Sequence, residues 1–204
     1  MGDLFLAPNV KISTNGVTPA GAGTQLLLPA YTGVMYPTCQ LYSSVAASSA
    51  LTNTTTETVL DSFTLPADTL KAGTTVRIRG WGIATATNST DTLIVKVYVG
   101  GTGGTAILAI PASAVDAVND DIWSFDCYVA CRTAGASGTA VAFARGEITL
   151  AGEFAAAGTV VTDTTASFTV NTTTTQQLAV AATWSVASTS NSCRNDMFIV
   201  DIAG

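Results

Sequence analysis

The sequence predicts an all-β fold, and three observations carry that expectation. β-branched residues alternate with period two in run after run, which puts one face of each run in a core. The runs stop at clusters of Gly, Pro, Asn and Asp, the residues that turn a chain. No stretch makes a convincing helix.

The clearest strands lie between Glu57 and Gly101. Val59 to Leu65 ends at Pro66. Thr74 to Thr85 begins after Lys71-Ala72-Gly73; Val76, Ile78, Gly80 and Gly82 face one way, and Arg77, Arg79, Trp81 and Ile83 the other. Thr92 to Val99 follows Asn88-Ser89-Thr90-Asp91. Its Leu93, Val95, Val97 and Val99 form an apolar face, and Ile94, Lys96 and Tyr98 a mixed one. Such alternation means one face in a core and one toward solvent or a neighbour. Thr105 to Ile110 is a short strand ended by Pro111, and Ala112 to Asp121 reads as a connection. Ile122 to Thr133 and Thr139 to Leu150 flank Ala134-Gly135-Ala136-Ser137-Gly138, the strongest hairpin signal in the chain. Gly152 to Thr165 reads as a loop and Ser167 to Val170 as a short strand. Gln177 to Ala187 places Leu178, Val180, Ala182, Trp184 and Val186 on one face, and Asn195 to Ile202 closes the chain.

Strands in this number pack as two sheets face to face or as a closed barrel. Their count and the uneven loops favour a jelly-roll β-sandwich of about eight or nine antiparallel strands. An immunoglobulin-like sandwich is the alternative, but the Cys–Trp–Cys arrangement it calls for is absent, since Trp123 sits beside Cys127 in one run. Residues 1–50 differ in texture. Pro8, Pro19, Pro29 and Pro37 interrupt every run, and the apolar clusters are short: Leu4-Phe5-Leu6, Leu26-Leu27-Leu28 and Val34-Met35-Tyr36. This reads as an extended N-terminal arm, with Ser43 to Thr56 as a loop or hinge, followed by a β domain at 51–204. Left free, the arm would expose Leu4, Phe5, Leu6, Leu26, Leu27 and Leu28, each worth about 2 kcal/mol on burial. Either a partner surface or the chain's own domain covers them.

Composition narrows function. Only 11% of the 204 residues are charged and the formal net charge is −6, which leaves no footprint for nucleic acid or an anionic membrane. Sparse charge fits either a neutral surface over a compact core or a surface covered by other subunits. The chain has no histidine, so imidazole triads and His-ligated metals are excluded. No run of apolar residues is long enough to span a bilayer as a helix. The start, MGDLFLAPNV, has neither a basic segment nor an apolar core, so no secretory signal is expected.

Cys127 and Cys131 fall on one strand face with Trp123, Phe125 and Val129, and their Cα atoms would be about 13 Å apart, too far for a disulfide. They are expected to be core thiols, in a reducing compartment. Asp116, Asp120 and Asp121 share one loop with no EF-hand spacing; a solvated acidic loop is the expectation and a calcium site the rival. Gly100-Gly101-Thr102-Gly103-Gly104 lacks the Lys-Ser/Thr of a phosphate loop and reads as a turn. None of Glu57, Glu147 and Glu153 has an activating context, so no catalysis and no cofactor are expected. Arg77, Arg79, Lys96 and Arg145 would share the outer face of a sheet if their strands pair, with Trp81 and Tyr98 beside them. Arginine next to exposed aromatics marks interfaces, so this is the candidate intersubunit face. The competing reading is cross-strand pairing with Glu147 or Asp61.

The stretches SFTLPADTLKAGTTVRIRGWG and ATNSTDTLIVKVYVGG resemble β-rich structural proteins of tailed bacteriophages, a loose group of capsid cement (head-decoration) proteins and jelly-roll fibre or spike domains. The resemblance covers about a quarter of the chain and locates no contact residue. It implies a structural virion protein, a homotrimer made in the host cytoplasm, bound to the major capsid protein on the outer shell, with the arm reaching neighbouring subunits. The alternative it implies is a receptor-binding tail fibre or spike head that recognises host-surface glycans.

Overall fold

A computed structural model describes residues 38–87, 90–115, 121–149 and 159–203 of the chain. It contains β1 (Thr38–Ser43), β2 (Thr58–Leu65), β3 (Thr75–Thr85), β4 (Thr92–Val99), β5 (Thr105–Ala114), β6 (Asp121–Thr133), β7 (Gly138–Thr149), β8 (Thr159–Val170), β9 (Gln176–Trp184) and β10 (Ser192–Ala203). Among the described residues there is no helix.

The strands form a six-stranded sheet, β1-β10-β3-β6-β7-β8, and a four-stranded sheet, β2-β9-β4-β5, with every pair antiparallel. With β7 and β8 set aside, β1 pairs β10, β2 pairs β9, β3 pairs β6 and β4 pairs β5. That is one long hairpin. Rolled up, it gains the lateral pairs β10·β3 and β9·β4, the path of a jelly roll. β7 and β8 widen one sheet.

The alternation in the sequence decides which side chains meet. Leu93, Val95, Val97 and Val99 of β4 and Leu178, Val180, Ala182 and Trp184 of β9 are buried against the inner face of the larger sheet. On that inner face, register pairs large residues with glycine. Phe125 lies between Gly80 of β3 and Gly146 of β7, and Trp123 lies opposite Gly82. A Cβ on Gly146 would come within 2.8 Å of Leu108 and Ile110, so this glycine admits β5 of the opposite sheet. Trp123 and Phe125 stack with centroids 6.2 Å apart, and Phe198 packs 6.3 Å from Phe125.

Three strands depart from the sequence expectation. β1 and the following residues lie in the stretch read as arm and hinge. Thr38–Ser43 pairs with β10, and Ser44, Ser48 and Leu51 donate backbone hydrogen bonds to Phe198, Asn195 and Cys193. Pro and Ser-Ala composition hid a strand whose order comes from a long-range ladder. β5 runs through Pro111, because β5 is an edge and the missing N–H faces no partner. Thr159–Thr165 is strand, not loop: β8 is Thr-rich and polar on most positions, and its one ladder is with β7. Val186, expected on the buried face of β9, lies beyond the strand and is 46% exposed.

At the β1–β10–β2 corner, bulges in all three strands re-aim side chains toward each other. The Asp61 carboxylate accepts from Tyr42 Oη at 3.3 Å, Ser62 N at 2.7 Å and Asn195 Nδ2 at 3.2 Å. Burial raises its pKa above the ordinary carboxylate value, opposed by those hydrogen bonds.

Cys127, Cys131 and Cys193 are buried free thiols, and the first two share the inner face with Trp123, Phe125 and Val129 as expected. Burial pushes the Cys193 thiol from 9.0 up to about 12 and raises those of Cys127 and Cys131 as well. The neutral thiol is the form the fold favours. Its contribution to stability is therefore complete below about pH 9 and declines as pH rises toward 12, because the unfolded thiols ionise first. Thiol-reagent titration at neutral pH is expected to label none of these three until denaturant is added. Rapid labelling of Cys127 or Cys193 in native protein would contradict the packing described.

Candidate functional site

The outer face of the six-stranded sheet gathers most of the exposed large apolar side chains. Of the eight such residues among the described ones, Trp81, Ile122, Tyr128, Phe143 and Val160 stand on this face, at 43%, 50%, 36%, 49% and 56% exposure. Register sets their neighbours. Asp201, Arg77, Tyr128, Phe143 and Thr164 form one row across β10, β3, β6, β7 and β8. Ile199, Arg79, Asp126, Arg145 and Thr162 form the next, and Met197, Trp81, Ser124, Glu147 and Val160 the one after.

The arginines of this face are neutralised in place. Arg77 binds Asp126 through two hydrogen bonds, Nε to Oδ1 at 2.8 Å and Nη2 to Oδ2 at 2.6 Å, and its guanidinium lies 5.2 Å from the Tyr128 ring centre. Asp126 holds the Arg77 pKa above its ordinary value. Arg79 pairs with Asp201 at 2.7 Å, and Arg145 stands 3.8 Å from Glu147, whose other oxygen accepts from Ser124 Oγ. These pairs are a third or more exposed on at least one side, so each adds less than about 1 kcal/mol. Their effect is to leave a face of aromatic and aliphatic groups with balanced charge.

The expected basic stripe is thus divided. Arg77, Arg79, Trp81 and Arg145 share the face. Lys96 and Tyr98 do not: they lie on the outer side of the four-stranded sheet, where both meet Glu57, Lys96 at 3.0 Å and Tyr98 Oη at 2.9 Å. Consecutive strands β3 and β4 cross from one sheet to the other, so alternation within each run could not place them together. Tyr98 is 5% exposed and offers little to a partner. Hydrogen bonding to Glu57 raises the Lys96 pKa, and burial raises that of Tyr98. The sequence reading missed Ile122, Tyr128, Phe143 and Val160. Their signal was available: large apolar residues at outward positions of β6, β7 and β8.

Asp121, grouped with a solvated loop, is instead the buried first residue of β6. Asp116 and Asp120 lie outside the described residues, as do Leu4, Phe5, Leu6, Leu26, Leu27 and Leu28. Among the described residues no three His, Cys, Asp or Glu side chains stand together as a metal cluster.

No protein-family model matches the chain, and no curated protein does. Among solved structures, that of infectious bursal disease virus, Gx strain, aligns with 92% of this chain at 16% identity and a TM-score of 0.33. The VP2 subviral particle of the same virus aligns with 83% at 13% identity and a TM-score of 0.28, and the Gt strain structure with 100% at 14% and 0.31. The chain spans about half the length of those chains, 46%, 41% and 50% respectively. Similarity at this level assigns neither family nor role.

Proposed function

We propose that this protein is a non-enzymatic structural component of a tailed-phage virion, a cement protein that sits on the outer shell as a homotrimer. The observation that carries the proposal is the outer face of the six-stranded sheet. Five large apolar side chains, Trp81, Ile122, Tyr128, Phe143 and Val160, lie exposed there among ion pairs already made within the chain. A face of that composition is the core of a protein contact, with aromatics and arginine enriched and unpaired charge removed. The phage-like wording of residues 56–101 supports the virion setting. It spans β2, β3 and β4, strands that belong to both sheets. In this reading the face joins subunits and the N-terminal arm engages the major capsid protein.

Light scattering of the purified chain at micromolar concentration is expected to give a trimer. Trp81→Glu and Phe143→Glu are each expected to weaken that assembly by about thirtyfold or more, the effect of losing a contact worth 2 kcal/mol. Both side chains are about half exposed in the single chain, so the variants should remain folded, with unfolding shifted by less than the assembly is. A wild-type monomer, on its own and on capsids, would overturn the trimer. Two trimeric variants would move the contact to another face.

A second reading has an observation of its own. A shallow polar depression lined by Ser124, Asp126, Arg145 and Glu147 borders the exposed Trp81, which is the partner of Ser124 in the ladder. An aromatic platform beside carboxylates and a guanidinium suits a sugar, as a receptor-binding spike would require. Binding to host-surface glycans that is abolished by Trp81→Ala would favour it over the cement role.

A further inference from the structure

We infer that the protein meets the shell end-on, through the end of the sandwich at which β1 begins. The inference rests on the cement reading and names the surface that faces the capsid protein. Register defines this end. Thr38 pairs with Ala203 of β10, Ala203 with Thr75 of β3, and Thr75 with Ala130 of β6, so the chain enters the six-stranded sheet in the row where β3 begins. In the other sheet Leu65, the last residue of β2, pairs with Gln176, the first of β9. Val99, the last of β4, pairs with Thr105, the first of β5. The β2–β3, β4–β5, β6–β7 and β8–β9 connections therefore all lie at this end. The β1–β2 and β9–β10 connections lie at the other, about 33 Å away along the 11 residues of β3.

Backbone hydrogen bonds tie these connections into one floor. Asp68 N donates to Thr172 O at 2.8 Å, Thr172 N to Gly135 O at 3.0 Å and Gly73 N to Cys131 O at 2.9 Å. Gly100 N and Gly101 N both donate to Gln177 O, at 2.8 and 2.9 Å. A floor held in this way is preorganised, so little ordering entropy is lost when a partner covers it. It is also close to neutral. The charged residues of the four connections are Asp68 and Lys71, which pair with each other at 3.6 Å. Depletion of charge marks the centre of a protein contact. The chain before Thr38 decides the occupant. Val34-Met35-Tyr36 comes two to four residues earlier, and at full extension the chain carries this apolar cluster no more than about 14 Å from Thr38. Leu26 to Leu28 have chain enough to reach either end of the sandwich; Val34 to Tyr36 do not. A shell protein that takes this root of the arm is thus brought to the near end, where the tether gives the floor a high effective concentration of its partner.

Photo-crosslinking tests which end touches the shell. Capsids lacking the protein are mixed with the full chain carrying p-benzoylphenylalanine at Thr102 or Ala136, exposed at the near end, or at Thr55 or Thr189, exposed at the far end. After irradiation the adducts are mapped by mass spectrometry. Adducts to the capsid protein are expected from Thr102 and Ala136 and from neither Thr55 nor Thr189. In a second measurement, Thr102→Glu combined with Ala136→Glu should weaken cosedimentation with capsids by about tenfold or more, because a charge left unpaired inside a contact is disfavoured. Thr55→Glu combined with Thr189→Glu should leave it unchanged. Capsid-bound protein that gives no near-end adduct, or gives far-end ones, overturns the end-on contact and leaves the cement reading standing. Near-end adducts to residues 1–37 of the same chain, with none to the capsid protein, overturn it as well, since the arm would then cover its own floor. Wild-type protein that does not cosediment with capsids overturns both.

Discussion

Gly82→Ala is expected to destabilise the protein by about 3 kcal/mol or more, at the upper end of what overpacking costs. A Cβ at Gly82 would lie 2.0 Å from the Arg194 carbonyl oxygen and 2.4 Å from Trp123 Cζ2. The first of these is backbone, held where β10 bulges over β3 at Asn195, and the second belongs to a fully buried ring. Neither can step aside as the tip of a flexible side chain would. With total stability of roughly 5–15 kcal/mol for a domain, this is a large fraction, and a melting point lower by about 10 °C should accompany it. Gly103→Ala is the control, since a Cβ there meets nothing within 4 Å. Denaturant unfolding of the two variants checks the claim. Equal stability would mean that β10 and Trp123 do not close over β3 as described.

Removal of residues 1–37 is expected to abolish capsid binding while leaving the sandwich folded. The described ladders begin at Thr38, and every strand of both sheets lies beyond it. If Phe5, Leu6 and Leu26 to Leu28 anchor the protein to a shell, their loss removes several kcal/mol of burial, at ~25 cal/mol per Å². Phe5→Ala alone should weaken binding less, because apolar anchors act as a group. Cosedimentation with capsids lacking the protein, alongside circular dichroism of the truncated chain, reads both outcomes. Undiminished binding would transfer the anchor to the jelly roll. An unfolded truncation would make the arm part of the core.

Local pattern was legible wherever burial alternates. β4 was read to the residue, and β3, β6, β7 and β10 within three at either end, because each carries an inward row of apolar side chains or glycines, interrupted only by Asp121 in β6 and Asn195 in β10. Pairing was not legible. The sequence does not say that β3 and β4, separated by a short turn, belong to different sheets, and the expected basic face broke at that point, with Lys96 and Tyr98 turning to Glu57. β1 and the Thr159–Thr165 half of β8 were missed for a related reason: their order comes from a neighbouring strand across the sheet and not from their own apolar rows. The same blindness applies to Asp121, whose burial follows from the strand that begins with it. Single-sequence reading found the arginines and Trp81 of the candidate face and overlooked Ile122, Tyr128, Phe143 and Val160 around them, which carry more of the energy of an interface.

The cement reading rests on where the protein sits and how often. Quantitative mass spectrometry of purified virions, comparing copies of this chain with copies of the major capsid protein, tests it most directly. The account predicts trimers in fixed proportion to the capsomers of the shell, retained when tails are removed. A small number of copies that leaves with the tail fraction would contradict it and assign the chain to a fibre or spike.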